Sequence, residues 1–212
     1  MIGNMLLLAL SLQVKVGYEE NYPLTFTDAG GEPAGLYIEL LQEIADVHDW
    51  ELDFLPGAWA DLTSMLLQGE LDLIACMTRS ENRGNLFLFP EETVESGWSV
   101  LLVHKDSSIN SLHDLHLGRI ALIQDDFHSE TLVEIIADLD LTVDTLACAT
   151  YSQGMEAVIN GEALGVPVPS TIMLSPDFPD DLVPQGIVWS PTAATFAGNR
   201  DGPAFAAPGQ SG

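Results

Sequence analysis

The chain has 212 residues, with 32 Asp and Glu against 6 Lys and Arg, for a formal net charge of −26. Such a surface repels nucleic acid phosphates and anionic lipid headgroups, which argues against both as partners. With 47% hydrophobic residues the chain reads as a folded globular protein with a sizeable core, not an acidic disordered tail.

Residues 5–12 form an apolar run too short to span a bilayer. No Lys or Arg precedes it, so 1–13 reads as a leader remnant or a start cut from a longer chain. A strand is predicted over 14–18, then a loop over 19–33 punctuated by Pro, Asp and Gly-Gly. Apolar residues at Leu36, Leu40, Leu41, Ile44, Ala45 and Val47 predict a helix over 36–48. A strand over 51–55, a helix over 59–68 closed by Gly69, and a strand over 71–77 follow. This alternation argues a parallel sheet with helices on its faces.

A second unit begins near Gly97. It reads as strand 98–103, a short helix over 112–117, strand 119–124 and helix 129–138. Strand 142–148, helix 153–160 ended by Gly161, and short strands over 164–168 and 187–190 complete it. Residues 205–212 read as a low-complexity tail. Two β/α units leave a cleft between them, a favoured place for a ligand.

Arg83 and Ser80 follow an apolar strand that ends at Met77 and Thr78. With so few cations in the chain, an arginine at a strand's carboxyl end suits a carboxylate, which its fork of N–H donors holds in two places. Arg79 competes for that role. Tyr18, Tyr22 and Phe26 lie after the first strand and are candidates to stack on a ligand; Phe26 also suits a core cap. Glu19, Glu20 and Asn21 could bind a ligand ammonium, but in so acidic a chain they read first as solvated surface. The turn 124–129 precedes a helix, and Asp126, His128 and Ser129 are candidate contacts there, Ser129 also as N-cap. His113 and His116 read as a solvated helix face, not a zinc site. Cys76 and Cys148 read as small buried residues. No GxSxG, P-loop or HExxH motif is present, so the reading is non-enzymatic, with no cofactor or metal.

Several segments in order carry a resemblance: Val16-Gly-Tyr-Glu-Glu-Asn-Tyr-Pro-Leu-Thr-Phe26, Gly35-Leu-Tyr-Ile-Glu-Leu-Leu41, Pro56-Gly-Ala-Trp59, Leu66-Leu-Gln-Gly-Glu-Leu-Asp72 and Ser80…Arg83. Together they resemble the family 3 extracellular solute-binding proteins, and more closely the extracytoplasmic sensor domains of histidine kinases. The resemblance implies an α/β, two-lobed periplasmic binding protein type II fold, each lobe a mostly parallel sheet flanked by helices, with two crossovers. Lobe 1 would be 14–94 plus 188–204 and lobe 2 would be 95–187. It implies a small carboxylate-bearing or amino-acid-like ligand on Arg83, Ser80, Thr78 and the aromatic residues, with Asp126, His128 and Ser129 from lobe 2. It further implies a periplasmic or extracellular place, a membrane-anchored parent and scope for a homodimer. An ABC transporter component and a dehydratase-like enzyme on the same fold are the alternatives. Where amino-acid-binding relatives carry Gly-x-x-Asp, this chain has Gly161-Glu-Ala-Leu164, which puts an α-amino acid in doubt. Relatives also finish with a helix over lobe 1 that is not seen after 196–202.

An acid surplus with almost no lysine suits a source living in high salt, where screening relieves self-repulsion. The melting temperature is expected to rise between low and molar NaCl; a flat or falling value would overturn the high-salt reading.

Overall fold

The computed structural model describes residues 11–200. Strand β1 (Leu12–Tyr18) buries Val14, Val16 and Tyr18 and pairs in parallel with β4 (Trp50–Pro56), Val16 opposite Phe54. Its other edge pairs in parallel with β5 (Leu73–Thr78). Two short strands, β2 (Phe26–Thr27) and β3 (Pro33–Ala34), form a small hairpin between β1 and the first helix. Helix α1 (Leu36–His48) turns Tyr37, Ile38, Leu41 and Ala45 onto the sheet, as its apolar spacing requires. Helix α2 (Trp59–Gln68) buries Trp59, Leu62 and Leu66 and stops at Gly69 in the left-handed region.

A short helix α3 (Glu81–Leu86), capped by the Ser80 hydroxyl, follows β5. Strand β6 (Glu95–His104) then leads into the second half. There β7 (Arg119–Ile123) and β8 (Asp144–Cys148) pair in parallel, joined by helix α4 (Phe127–Asp138). Helix α5 (Tyr151–Ile159) and β9 (Val166–Pro169) follow, and β10 (Leu182–Gly198) returns to the first half. The large sheet runs β4-β1-β5-β10-β6-β9. Within it β10 is antiparallel to β5, and β6 is antiparallel to both β10 and β9. The fold is thus mixed α/β, with parallel strands at the centre of each half and antiparallel crossings between them.

Alternation along β6 splits the second core. Val100 and Leu102 pack with Ile123 and Val166 on one face, while Leu101 and Val103 pack with Leu132 and Trp189 on the other. In the first half Val14 and Val16 meet α1, and Ile74 meets α2.

Several expectations are corrected. The strand expected over 187–190 is the middle of a 17-residue strand, Leu182–Gly198. Helix α4 starts at Phe127 and not Ser129, because the Asp126 side chain, not that of Ser129, caps it. The short helix over 112–117 is a 3₁₀ turn, Leu112–Leu115, closed by a reciprocal pair between Ser111 and Asp114. Strand 71–77 is Leu73–Thr78. Leu12 and Gln13 belong to β1; the expected leader up to residue 10, the tail over 205–212, and the end of lobe 1 past residue 200 lie outside the described residues. Among the described residues no helix is long and apolar enough to cross a membrane.

Gly35 enters α1 with φ of 113°, and a Cβ there would meet the Leu24 carbonyl oxygen at 2.6 Å. Gly35→Ala is expected to cost about 1–3 kcal/mol or more, since strain and a backbone clash add. A urea midpoint unchanged from the parent would contradict this.

Candidate functional site

Two parallel strand pairs, β1 with β5 and β7 with β8, end at one cavity. The end of β1 supplies Glu19 and Asn21, the end of β5 supplies Thr78, and α3 supplies Arg83. From the second half, the β7–α4 turn supplies Asp126 and His128, and the start of α5 supplies Tyr151. This is where open α/β sheets hold ligands. The crossing strands add Glu95 and Thr192, and the turn after β9 adds Thr171. The cavity offers about 40 Å³ to the centre of a water molecule, against roughly 10–15 Å³ that one water needs on that measure.

Arg83 is 8% exposed and reaches across the cleft. Its guanidinium donates to the Thr78 carbonyl at 3.1 Å and to the Asp125 carbonyl at 3.0 Å. It lies over the Trp59 ring at 4.8 Å and over the Phe127 ring at 5.9 Å. Trp59 Nε1 donates to the same Asp125 carbonyl at 2.7 Å. Asp125 takes φ of 57°. One main-chain oxygen of the second half thus accepts from two side chains of the first.

Asp126 is buried with both oxygens engaged. Oδ2 accepts from the Ser129 amide at 2.9 Å, and Oδ1 accepts from the Tyr151 hydroxyl at 2.6 Å. His128 is buried, with Nδ1 at 2.7 Å from Ser99 Oγ; burial pulls its pKa down, so the imidazole is neutral near pH 7. Burial raises the carboxyl of Glu95 and pushes that of Glu19 up to about 8, where Asp126 adds and Arg83 opposes. Burial also raises the Tyr151 hydroxyl, with Asp126 adding. Three buried oxygens at the cavity have no partner: Glu19 Oε1, Asn21 Oδ1 and Thr171 Oγ1. Buried polar atoms without partners in a concave site are where a ligand's donors belong.

The structure brings together some predicted residues and separates others. Arg83, Thr78, Asp126 and His128 line the cavity. Ser80 instead caps α3 through its hydroxyl, and Ser129 Oγ accepts from the Ile123 amide. Tyr18 is core, its hydroxyl 3.0 Å from Thr27 Oγ1. Tyr22 and Phe26 pack on each other as a tilted ring pair along a neighbouring groove with Met155 and Phe178. Arg79 lies over the Phe89 ring at 5.7 Å and is not a lining residue, which leaves the cleft to Arg83. Glu19 and Asn21, read as surface, are lining residues, as are Trp59, Glu95 and Tyr151, which sequence reasoning missed. Tyr151 follows a strand end just as Arg83 and Asp126 do, and that position was the available signal. Cys76 and Cys148 are free thiols, and Cys76 lines the cavity.

The sequence profile of the bacterial extracellular solute-binding proteins, family 3, matches residues 14–200. The chain belongs to this family. Its solute-binding fold superposes on the arginine-bound form of truncated ArgBP from T. maritima with a TM-score of 0.79 at 21% identity, covering 89% of this chain and 88% of that one. A histidine kinase sensor domain with similarity to periplasmic binding proteins gives 0.76 at 25% identity, covering 90% and 84%. A putative L-cystine ABC transporter protein from Listeria monocytogenes gives 0.80 at 21% identity, covering 90% and 84%. No curated protein matches. The family and these neighbours are binding proteins, and the family's name implies a periplasmic or extracellular location. Among the described residues no group of three or more His, Cys, Asp or Glu is arranged to hold a metal ion.

Glu19 gives the cavity a pH signature. A carboxyl raised from 4.5 to about 8 stabilises the fold while protonated. That contribution is complete below pH 4.5 and is lost as pH rises through about 8. Glu19→Gln, neutral throughout, is expected to lack this loss, so stability curves of parent and variant should separate across that window, the parent falling. Parallel curves from urea unfolding would show that Glu19 is not buried as described.

Proposed function

We propose that this chain is the solute-binding input domain of an extracytoplasmic receptor, taking a small nitrogen-bearing solute between its lobes. The observation that carries this is the set of partnerless buried acceptors, Glu19 Oε1, Asn21 Oδ1 and Thr171 Oγ1, facing one cavity. A ligand that supplies N–H donors satisfies them and removes the cost of leaving them dry. Glu19 and Asn21 come from lobe 1 and Thr171 from the turn after β9, so one ligand touches both sides of the cleft. That is the condition for a ligand to shift the lobes toward closure.

In this reading lobe 1 is 14–94 with 188 onward and lobe 2 is 95–187. The hinge lies in β6 and β10, the two strands shared between lobes. The likeness to a histidine kinase sensor domain supports a receptor role over a transporter component. Other neighbours were solved with arginine or glutamine bound, or are named for L-cystine, which supports a nitrogenous solute class. Arg83 joins the lobes through Asp125 and its role is to hold the closed geometry around the solute.

Small-angle scattering over a panel of amines and amino acids tests this. One member at saturation is expected to lower the radius of gyration, because closure moves whole lobes. The same member should change Trp59 fluorescence, since Trp59 spans the cleft to Asp125. Arg83→Ala is expected to weaken that binding by an order of 2–5 kcal/mol, the usual loss for a buried hydrogen-bonded charge. An unchanged radius across the whole panel would favour a static domain that serves dimerisation alone.

A further inference from the structure

We infer that the groove beside the cleft is a second binding site, for an apolar organic cation whose ammonium is fully alkylated. The groove is separate from the cavity that holds Arg83, and its occupancy does not depend on the solute-binding reading.

The groove offers about 310 Å³ to the centre of a water molecule, against about 40 Å³ in the cavity. Its walls come from both halves of the molecule. The loop after β1 and the start of β2 bring Tyr22 and Phe26, a tilted pair with ring centroids 4.8 Å apart. Helix α5 brings Met155 and Tyr151, and the segment before β10 brings Phe178. Tyr22, Phe26, Met155 and Phe178 are each only half-buried, so folding leaves aromatic and thioether surface turned to one concave space. Clustered exposed apolar surface of this kind marks a binding site.

Charge selects the occupant. Glu20, Glu156 and Asp177 line the same groove and are exposed, and among the described residues no Lys, Arg or His lines it. An anion is repelled and a cation is drawn in. The faces of the aromatic rings add to that attraction, and the Met155 thioether suits a ligand with a ring of its own.

Hydrogen bonding selects the kind of cation. The Tyr151 hydroxyl is held by Asp126 on the cavity side. Glu20 accepts from the Thr27 amide and hydroxyl, and Ser175 Oγ accepts from the Asp177 amide. Glu19 Oε1, Asn21 Oδ1 and Thr171 Oγ1, the partnerless acceptors, line the cavity and not the groove. A primary ammonium would leave water here with no fixed acceptor to replace it, and its pairing with exposed rim carboxylates is worth little. An alkylated ammonium has no N–H to satisfy, so the rings and the rim charge are enough to hold it.

Methyl NMR on the full chain, labelled at methionine, tests this with benzyltrimethylammonium, benzylamine, benzyl alcohol and phenylacetate. Met155→Leu identifies the Met155 signal among the six methionines. Benzyltrimethylammonium is expected to shift that signal saturably and to bind about fivefold tighter than benzyl alcohol, the usual size of a cation–ring contact. Benzylamine should fall between them, and phenylacetate should be weakest. Glu156→Gln combined with Asp177→Asn, both at exposed positions, should lower the quaternary cation toward benzyl alcohol while leaving benzyl alcohol unmoved, a selective loss that damage to the fold would not give. Phe178→Ala should weaken both. Benzyl alcohol binding as tightly as the quaternary cation, or benzylamine binding tighter than it, overturns the inference. So does a preference for the cation that survives the double variant, a cation that binds without moving the Met155 signal, absence of binding across the four probes, or a doubled particle mass in scattering that places a second copy of the chain on the groove. None of these results bears on the solute taken by the cavity.

Discussion

The antiparallel pairing of β6 with β10 is the constraint on which the rest of the molecule depends. Its register runs from Leu182 opposite His104 to Ala194 opposite Glu95, so one ribbon carries the chain through both lobes. Each lobe then adds its own strands: β5, β1 and β4 at one end, β9 at the other. Because the ribbon is hydrogen-bonded along its length, the lobes cannot drift freely. The register shifts between Pro184 and Val188 and between Trp189 and Pro191 are where the ribbon is locally irregular. Thr192 and Glu95 sit on the ribbon and line the cavity, so the ribbon itself forms part of the wall of the site.

The second organising fact is the electrostatics of a lone buried guanidinium. Arg83 loses hydration on burial, which lowers its pKa, and Asp126, Glu130, Tyr151 and Glu19 offset this. Carbonyl oxygens at Thr78 and Asp125 satisfy two of its donors, and the faces of Trp59 and Phe127 provide weaker support. Two of the other cations sit on the surface in ordinary pairs, Arg119 with Asp144 at 2.6 Å and Lys105 with Asp181 at 2.5 Å. Such exposed pairs contribute little to stability.

Arg83 was legible in the sequence because cations are scarce and one followed an apolar strand. The β/α rhythm was legible because α1 and α2 carry clear apolar spacing and glycine closes α2. Glu19 was hidden by the opposite circumstance: with 32 acids, no single acid stands out. The start of α4 was misplaced since Asp126 and Ser129 are both good capping types three residues apart, and only backbone geometry decides between them. The length of β10 was concealed by Pro184, Gly186 and Pro191, which read as punctuation. Bulges absorb these residues, and Ser190 takes φ of 44° to do so. Tyr22 and Phe26 were placed on the ligand from their position in the chain, but the hairpin β2–β3 turns that loop toward the neighbouring groove.

The carbonyl of Asp125 joins the lobes as a main-chain atom, whatever side chain stands above it. Replacement at position 125 leaves the acceptor in place, and glycine there would even relieve the left-handed backbone. The donors have no such protection, since Trp59 and Arg83 act through their side chains. Sequence drift therefore acts unevenly on this contact: it is tolerant on the lobe 2 side and exacting on the lobe 1 side. Position 125 can accept Gly, Asn or another residue that tolerates a left-handed backbone, while 59 and 83 must keep an indole and a guanidinium to hold this contact.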